Sequence, residues 1–409
     1  MDQAEFTKLY NALQRGNISR RQFMAATGLG MAAAILAACA PAGSAQTPKP
    51  TAAPTAAPTA APTAAPTMDL TADWTPPKGV DLGKELFVTT WPNYHDPKTL
   101  DRFTQLTGVK VNLTIFGSNE EMLAKLLVGN TGWDVLVPTN YTFDTYGSKK
   151  IIEPLDLSKL PHLDPARYDQ RLLSPAHYPA GSGPLHGFNK DWGTTGYVVN
   201  TKHVKKPMAT WKDFFDLTRS DYSGKVTIHD YQLTSIGNAL VYNGFSFNSV
   251  KADEMAKAET LLMDVKKGLF AITSDYQPPM KNEDAWIAMA WTNDAAQLHK
   301  GNPDIQYILG SDGGEIWSDF YTVVAGAKNR EAAYAFLDYM ATPSVAVKDA
   351  EFHGAPLVDS AMIAQQSAET KNNKITYPDA ASLSKLEFGT AELLTNQDRA
   401  ELWARFKSA

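Results

Sequence analysis

Residues 85–116, ELFVTTWPNYHDPKTLDRFTQLTGVKVNLTIF, read as strand, helix and strand in turn. ELFVTTW (85–91) is a strand, and the helix that follows has Asp96 as its N-cap, Pro97 at the first helical position and Gly108 as its stop. Leu100, Phe103 and Leu106 recur at near-helical spacing, and KVNLTIF (110–116) alternates as a second strand. The pattern then repeats. SNEEMLAKLLVG (118–129) opens with Ser118 and Glu121 at capping-box spacing, and WDVLVPT (133–139) is a third strand. This order predicts right-handed crossovers and a mainly parallel sheet, with ligand sites beyond the carboxyl ends of its strands. Trp91, Tyr94, Thr139 and Tyr141 fall there.

Farther along, SGKVTIHDY (223–231), AWIAMAWTND (285–294) and YTVVAGA (321–327) read as strands, with helices at about 251–267 and 330–341, so a second α/β lobe is expected. In GGEIWSDFY (313–321), Trp317 and Asp319 stand two apart in a strand-like run and so share a face. An indole beside a carboxylate suits an organic cation; a core Trp beside a capping Asp is the other reading.

With 409 residues, 44% hydrophobic and 20% charged, the chain can build sizeable cores. The formal net charge is −6; the first 39 residues hold four basic residues against two acidic ones, so the remainder carries 34 basic against 42 acidic, a net of −8, which argues against nucleic acid as a partner. The single cysteine, Cys39, excludes an internal disulfide framework and any multi-cysteine metal site. SRRQF (19–23) leads into the uncharged run MAATGLGMAAAILAAC (24–39), the form of an export signal. Arg20 and Arg21 resemble a twin-arginine signal, and LAAC (36–39) resembles the lipobox that leaves a lipidated cysteine. From Pro50 to Thr67 the sequence repeats PTAA, a composition that favours an extended spacer; from Cys39 to about Gly83 it could reach on the order of 100 Å.

The eight histidines show no HExxH spacing, and the chain has no GxSxG elbow or Walker loop, so catalysis is disfavoured and neither a cofactor nor a metal is expected. His229 beside Asp230 is the pair an enzyme would use first. Tyr141, Tyr231 and Asp319 could serve as oxygen ligands to a metal, but Trp rings do not ligate metals.

TGVKV (107–111), WDVLVPTNY (133–141), WGTTGYVVN (192–200), ATWKDFF (209–215), GGEIWSDF (313–320), AKNREAAYAFLDYM (327–340) and TYPDA (376–380) occur in an order that resembles the extracytoplasmic solute-binding proteins of bacterial ABC importers, specifically their spermidine/putrescine-binding group. The likeness runs from about Leu86 to Pro378. It implies a type II-like periplasmic binding protein: two α/β lobes joined by hinge strands, with the ligand in the cleft between them. The implied divisions are a signal peptide (1–39), a disordered linker (40–83), lobe 1 (84–195 plus about 318–360) and lobe 2 (about 196–317 plus 361–409). Carried over by position, the aromatic cage falls on Trp91, Tyr94, Tyr141, Trp291 and Trp317, the small hydroxyl residue on Thr139, and the ammonium-binding carboxylate on Asp319.

Two further acidic positions of the group appear here as Tyr231 and Thr234, its aromatic before a Gly-x-Pro-like turn is Ala355, and its C-terminal glutamine is Gly389. A linear polyamine would then need a substitute for its second counter-charge, such as Asp230 or water; a loop-capping role for Asp230 is the alternative. The implied protein is an extracytoplasmic monomer, anchored to the membrane through lipidated Cys39. It captures a polyamine or related small organic cation and delivers it to the permease subunits of an importer. A monoamine, a betaine-like compound or a metal chelate is the alternative ligand.

Overall fold

The computed structural model describes residues 73–129 and 131–409; Arg20, Arg21, Cys39 and the PTAA repeats lie outside the described residues. Strand β1 (Glu85–Thr90) leads to helix α1 (Pro97–Thr107), where the Asp96 carboxylate accepts the Lys98 N–H and Gly108, at φ 75°, ends the helix in a conformation free of Cβ strain. Strand β2 (Lys110–Ile115) follows, then helix α2 (Asn119–Val128), whose N-cap Ser118 accepts from Glu121 N. Strand β3 (Val135–Leu136) completes the unit, and β1 lies between β2 and β3, parallel to both.

The chain then enters β4 (Gly187–Asn200), all fourteen residues buried. The second lobe contains helix α3 (Trp211–Thr218), strand β5 (Val226–Ile228), helices α4 (Gln232–Tyr242) and α5 (Ala252–Lys266), strand β6 (Leu269–Ile272), strand β7 (Ile287–Trp291), helix α6 (Thr292–Gly301) and strand β8 (Ile305–Ile308). Strand β9 (Gly314–Val323), also buried throughout, returns the chain to helices α7 (Arg330–Ala341) and α8 (Pro343–His353) of the first lobe. Strand β10 (Leu386–Phe388) pairs with β9, and helix α9 (Gln397–Ser408) ends the described chain.

The ten strands form one sheet ordered β2-β1-β3-β9-β4-β7-β5-β6, with β8 on β4 and β10 on β9. The sheet expected to be mainly parallel is parallel across β2-β1-β3 and mixed beyond. β9 runs antiparallel to β3 and β4, and β4 runs antiparallel to β7, because these two long strands carry the chain from one lobe to the other. Of YTVVAGA, only Tyr321–Val323 are strand, the end of β9, and Val323 pairs with Val135 of β3.

The folded body also begins before the expected end of the linker at residue 83. Trp74 is 2% exposed, its indole donates to Asp338 at 2.8 Å, and its ring packs against Phe103 and Tyr339 at centroid distances of 5.8 and 5.3 Å. Trp74→Ala is expected to lower unfolding stability by about 3 kcal/mol or more in a urea titration, through lost burial and the lost hydrogen bond to Asp338; an unshifted midpoint would show that this indole is not part of the core.

Candidate functional site

A cavity of about 580 Å³ opens where the two halves of the sheet meet, within the range of small-molecule sites. Trp91 and Tyr94 come from the end of β1, Thr139 from the end of β3, Tyr231 from the turn between β5 and α4, and Trp291 from the last position of β7. The wall is one face of β9, where the period of two places Glu315, Trp317 and Asp319 together. Gly193 of β4 stands opposite Trp317, and a Cβ there would lie 2.4 Å from the indole, so the ring keeps its place only against a glycine.

Asp319 is 5% exposed, and its Oδ1 has no hydrogen-bond partner. Burial, reinforced by the Asp191 charge across the ladder, pushes its carboxyl up to about 7. The Tyr94 hydroxyl lies 2.6 Å from Asp319 Oδ2 and also contacts Asp191. One phenolic proton cannot serve two carboxylates at once, so one of the acids must bring a proton of its own. Asp191 pairs with an ammonium, Lys190 Nζ at 3.2 Å, whereas Asp319 forms no ion pair among the described residues. The extra proton therefore belongs on Asp319.

Lys190 sits where the β4–β9 register shifts, and its buried ammonium reaches Asp349 at 3.1 Å and His353 at 2.8 Å, both on α8. Burial opposes that charge, but Asp191 and Asp349 outweigh it and hold the lysine above its ordinary value. His353 lines the cavity and stacks on Tyr94 with centroids 5.5 Å apart. The resident cation is thus tied off beneath Tyr94.

Seven of the expected residues line this cavity: Trp91, Tyr94, Thr139, Tyr231, Trp291, Trp317 and Asp319. Tyr141 does not. It is buried behind Tyr231, the two hydroxyls 2.5 Å apart, and Asn119 donates to Tyr141, Tyr231 and Thr139, so Tyr141 holds cavity residues in place. Asp230 is a second correction: both its oxygens bind Lys407 at 2.7 Å, and it lies off the cavity. Nor does it serve His229, whose ring stacks on Trp291 at 3.9 Å; burial drives that imidazole down to about 3, so it stays neutral. Thr234 is buried and bonded to His229 Nδ1 at 3.1 Å.

Other acids line the cavity beyond those the sequence pointed to. Asp294, in the first turn of α6, accepts from Gln277 at 2.7 Å and is raised by burial; Asp275 is exposed nearby. Glu315 is fully inside, bonded by the Thr195 hydroxyl at 2.5 Å, and burial pushes it up to about 7. Its signal is present in the sequence, since it stands two positions before Trp317 on the same strand face. Lys281 also lines the cavity but is exposed and bonded to Gln277. The lining is acidic and aromatic, an arrangement that can stabilise a cation.

Residues 98–375 match the family model described as bacterial extracellular solute-binding protein. The chain is 29% identical over 311 residues to the spermidine/putrescine-binding periplasmic protein of Escherichia coli K12, covering 75% of this chain and 87% of that one. It is 28% identical over 346 residues to the putrescine-binding periplasmic protein PotF of the same organism, with 80% and 92% covered. Its fold superimposes with a TM-score of 0.63, at 25% identity, on the spermidine/putrescine ABC transporter substrate-binding protein PotD of Streptococcus pneumoniae, over 80% of this chain and 99% of that one. With the two-lobe body and a cleft built for binding, these matches show that the chain belongs to the bacterial extracellular solute-binding protein family and is a binding protein, not an enzyme.

Proposed function

We propose that the protein captures a linear polyamine between its lobes outside the cytoplasmic membrane and delivers it to the permease of an ABC importer. The observation that carries this reading is the pairing of Trp317 and Asp319 on one buried strand face of an acidic, aromatic cavity; the similarity to polyamine-binding relatives supports it. The indole face would hold the alkyl chain or an ammonium, worth about 0.5–2 kcal/mol. Asp319 would accept a charge-assisted hydrogen bond worth about 1.5–3 kcal/mol. Ligand bridging both lobes favours the closed form, because only closure completes both sets of contacts. Export through Arg20 and Arg21, a lipid on Cys39 and a monomeric state belong to the same proposal and rest on the sequence.

Isothermal titration against putrescine, spermidine and choline is the direct test. Micromolar or tighter binding of a polyamine is expected; silence toward polyamines with a response to choline would move the specificity to singly charged cations. Trp317→Ala should weaken the polyamine about tenfold or more, and Asp319→Ala by a larger factor, because a buried ammonium loses its counter-charge. Unchanged affinity in both variants would remove the proposed cage.

Protonation supplies a second test. A cation binding to Asp319 displaces the proton that burial holds there with a pKa of about 7, so affinity should fall as pH drops from 8 to 5.5, by up to about tenfold per unit below that value. The ligand-free protein should show the opposite trend from Asp319 and Glu315. Their folded values are raised, so this contribution to stability is complete below the ordinary carboxylate range and is lost as pH rises through 7. A pH-independent affinity would remove the protonated Asp319.

Anchoring is tested in cells. Replacing Cys39 with serine in the full chain should move the protein from the membrane fraction to the soluble fraction and abolish labelling by a fatty-acid probe. Membrane retention in the variant would exclude lipidation as the tether.

A further inference from the structure

A linear diamine has two charges, and Asp230, the acid expected to meet the second, is occupied by Lys407 and lies off the cavity. The cavity has another acid in line with the first. Glu315, Trp317 and Asp319 share one face of β9, which rises about 3.4 Å per residue, so the Cα atoms of the two acids are roughly 13 Å apart with the indole midway. Strand side chains stand off the sheet near their own Cα levels, so the carboxylates keep about that separation.

Glu315 is 2% exposed, and its hydrogen bond comes from the Thr195 hydroxyl, its partner across the β4–β9 ladder. No cation among the described residues forms an ion pair with it. Arg399, the buried guanidinium that favours its charge from a distance, gives its hydrogen bonds to the carbonyls of Phe247 and Ser249. A buried carboxylate served by one hydroxyl has unused acceptor capacity and a large gain available from an ammonium. At the other end of the same face, Asp319 Oδ1 is buried without a partner.

We propose that Glu315 is the seat of the second ammonium, so that β9 acts as a ruler for linear α,ω-diamines laid across Trp317 from Asp319 to Glu315. This rests on the polyamine reading and deepens it. With charge-assisted N···O distances of about 2.8 Å at each end, a 13 Å span leaves roughly 7 Å between nitrogens. An extended chain of bonds about 1.5 Å long, zigzagging, covers that distance with four or five methylenes. Shorter diamines cannot reach both acids, and a monoamine leaves Glu315 without a counter-charge. Asp294 and Asp275 lie outside this strand register, and Asp294 already holds the Gln277 amide.

The test is calorimetry at pH 8 with the purified protein and 1,3-diaminopropane, 1,4-diaminobutane, 1,5-diaminopentane and n-butylamine. The wild type is expected to bind 1,4-diaminobutane at least about tenfold more tightly than n-butylamine, and Glu315→Gln, which keeps an acceptor for Thr195, should reduce that ratio to near one. Glu315→Asp keeps the charge but withdraws it by one methylene, and should shift the preferred ligand toward 1,5-diaminopentane. If both variants retain the wild-type ratio and length preference, Glu315 is not the seat, and the polyamine reading stands without it. Glu315 is likewise excluded if Asp294→Asn erases the diamine preference while Glu315→Gln keeps it. A wild type that binds none of the four amines overturns the Glu315 seat, and one that is silent toward spermidine as well overturns both readings.

Discussion

Strands β4 and β9 pass through both lobes, are buried along their whole lengths and bond to each other from Gly187–Thr322 to Thr195–Glu315. Backbone groups so deeply buried must be paired, and a ladder that satisfies them resists sliding. Its register therefore fixes the wall of the cleft. A slip of one residue would turn Glu315, Trp317 and Asp319 away from the cavity together and bring Ile316, Ser318 and Phe320 in. Gly193 adds a steric lock, because only the glycine row of β4 admits the Trp317 ring. The strands that cross between the lobes thus also build the wall of the cavity.

The charge arrangement follows from that register. Asp191 and Asp319 face each other across the ladder, a like-charge pair that is unfavourable unless something intervenes. The intervention is asymmetric: the irregularity at Lys190 supplies one acid with an ammonium, and Tyr94 joins the two acids through its hydroxyl. One carboxylate is committed to the protein; on the proposed reading the other would meet the ligand, and occupation of the cleft would exchange a proton for a cation, keeping the buried charge nearly constant.

The first lobe is legible in the sequence because its signals are local. Asp96, Gly108 and Ser118 cap helices as their spacing indicates, and apolar periodicity marks the strands between them. The crossing strands are less legible: β4 and β9 are buried on both faces and lack alternation, so YTVVAGA reads as separate from the strand it ends. Seven cavity residues follow from strand ends and family likeness. Asp230 does not, because its partner, Lys407, lies 177 residues away, and no local pattern reports such a pair. Lys190 is invisible for the same reason, being defined by Asp349 and His353 on a distant helix. Glu315 is legible in principle, since the periodicity that joins Trp317 to Asp319 extends two residues back.

Trp74 sits between α1 and α7, both on the first lobe. A load applied at Trp74 is therefore borne by a buried indole backed by two helices, not by the β4–β9 ladder. Mechanically, α1 and α7 form a handle, and a restraint held there leaves the β4–β9 ladder unloaded.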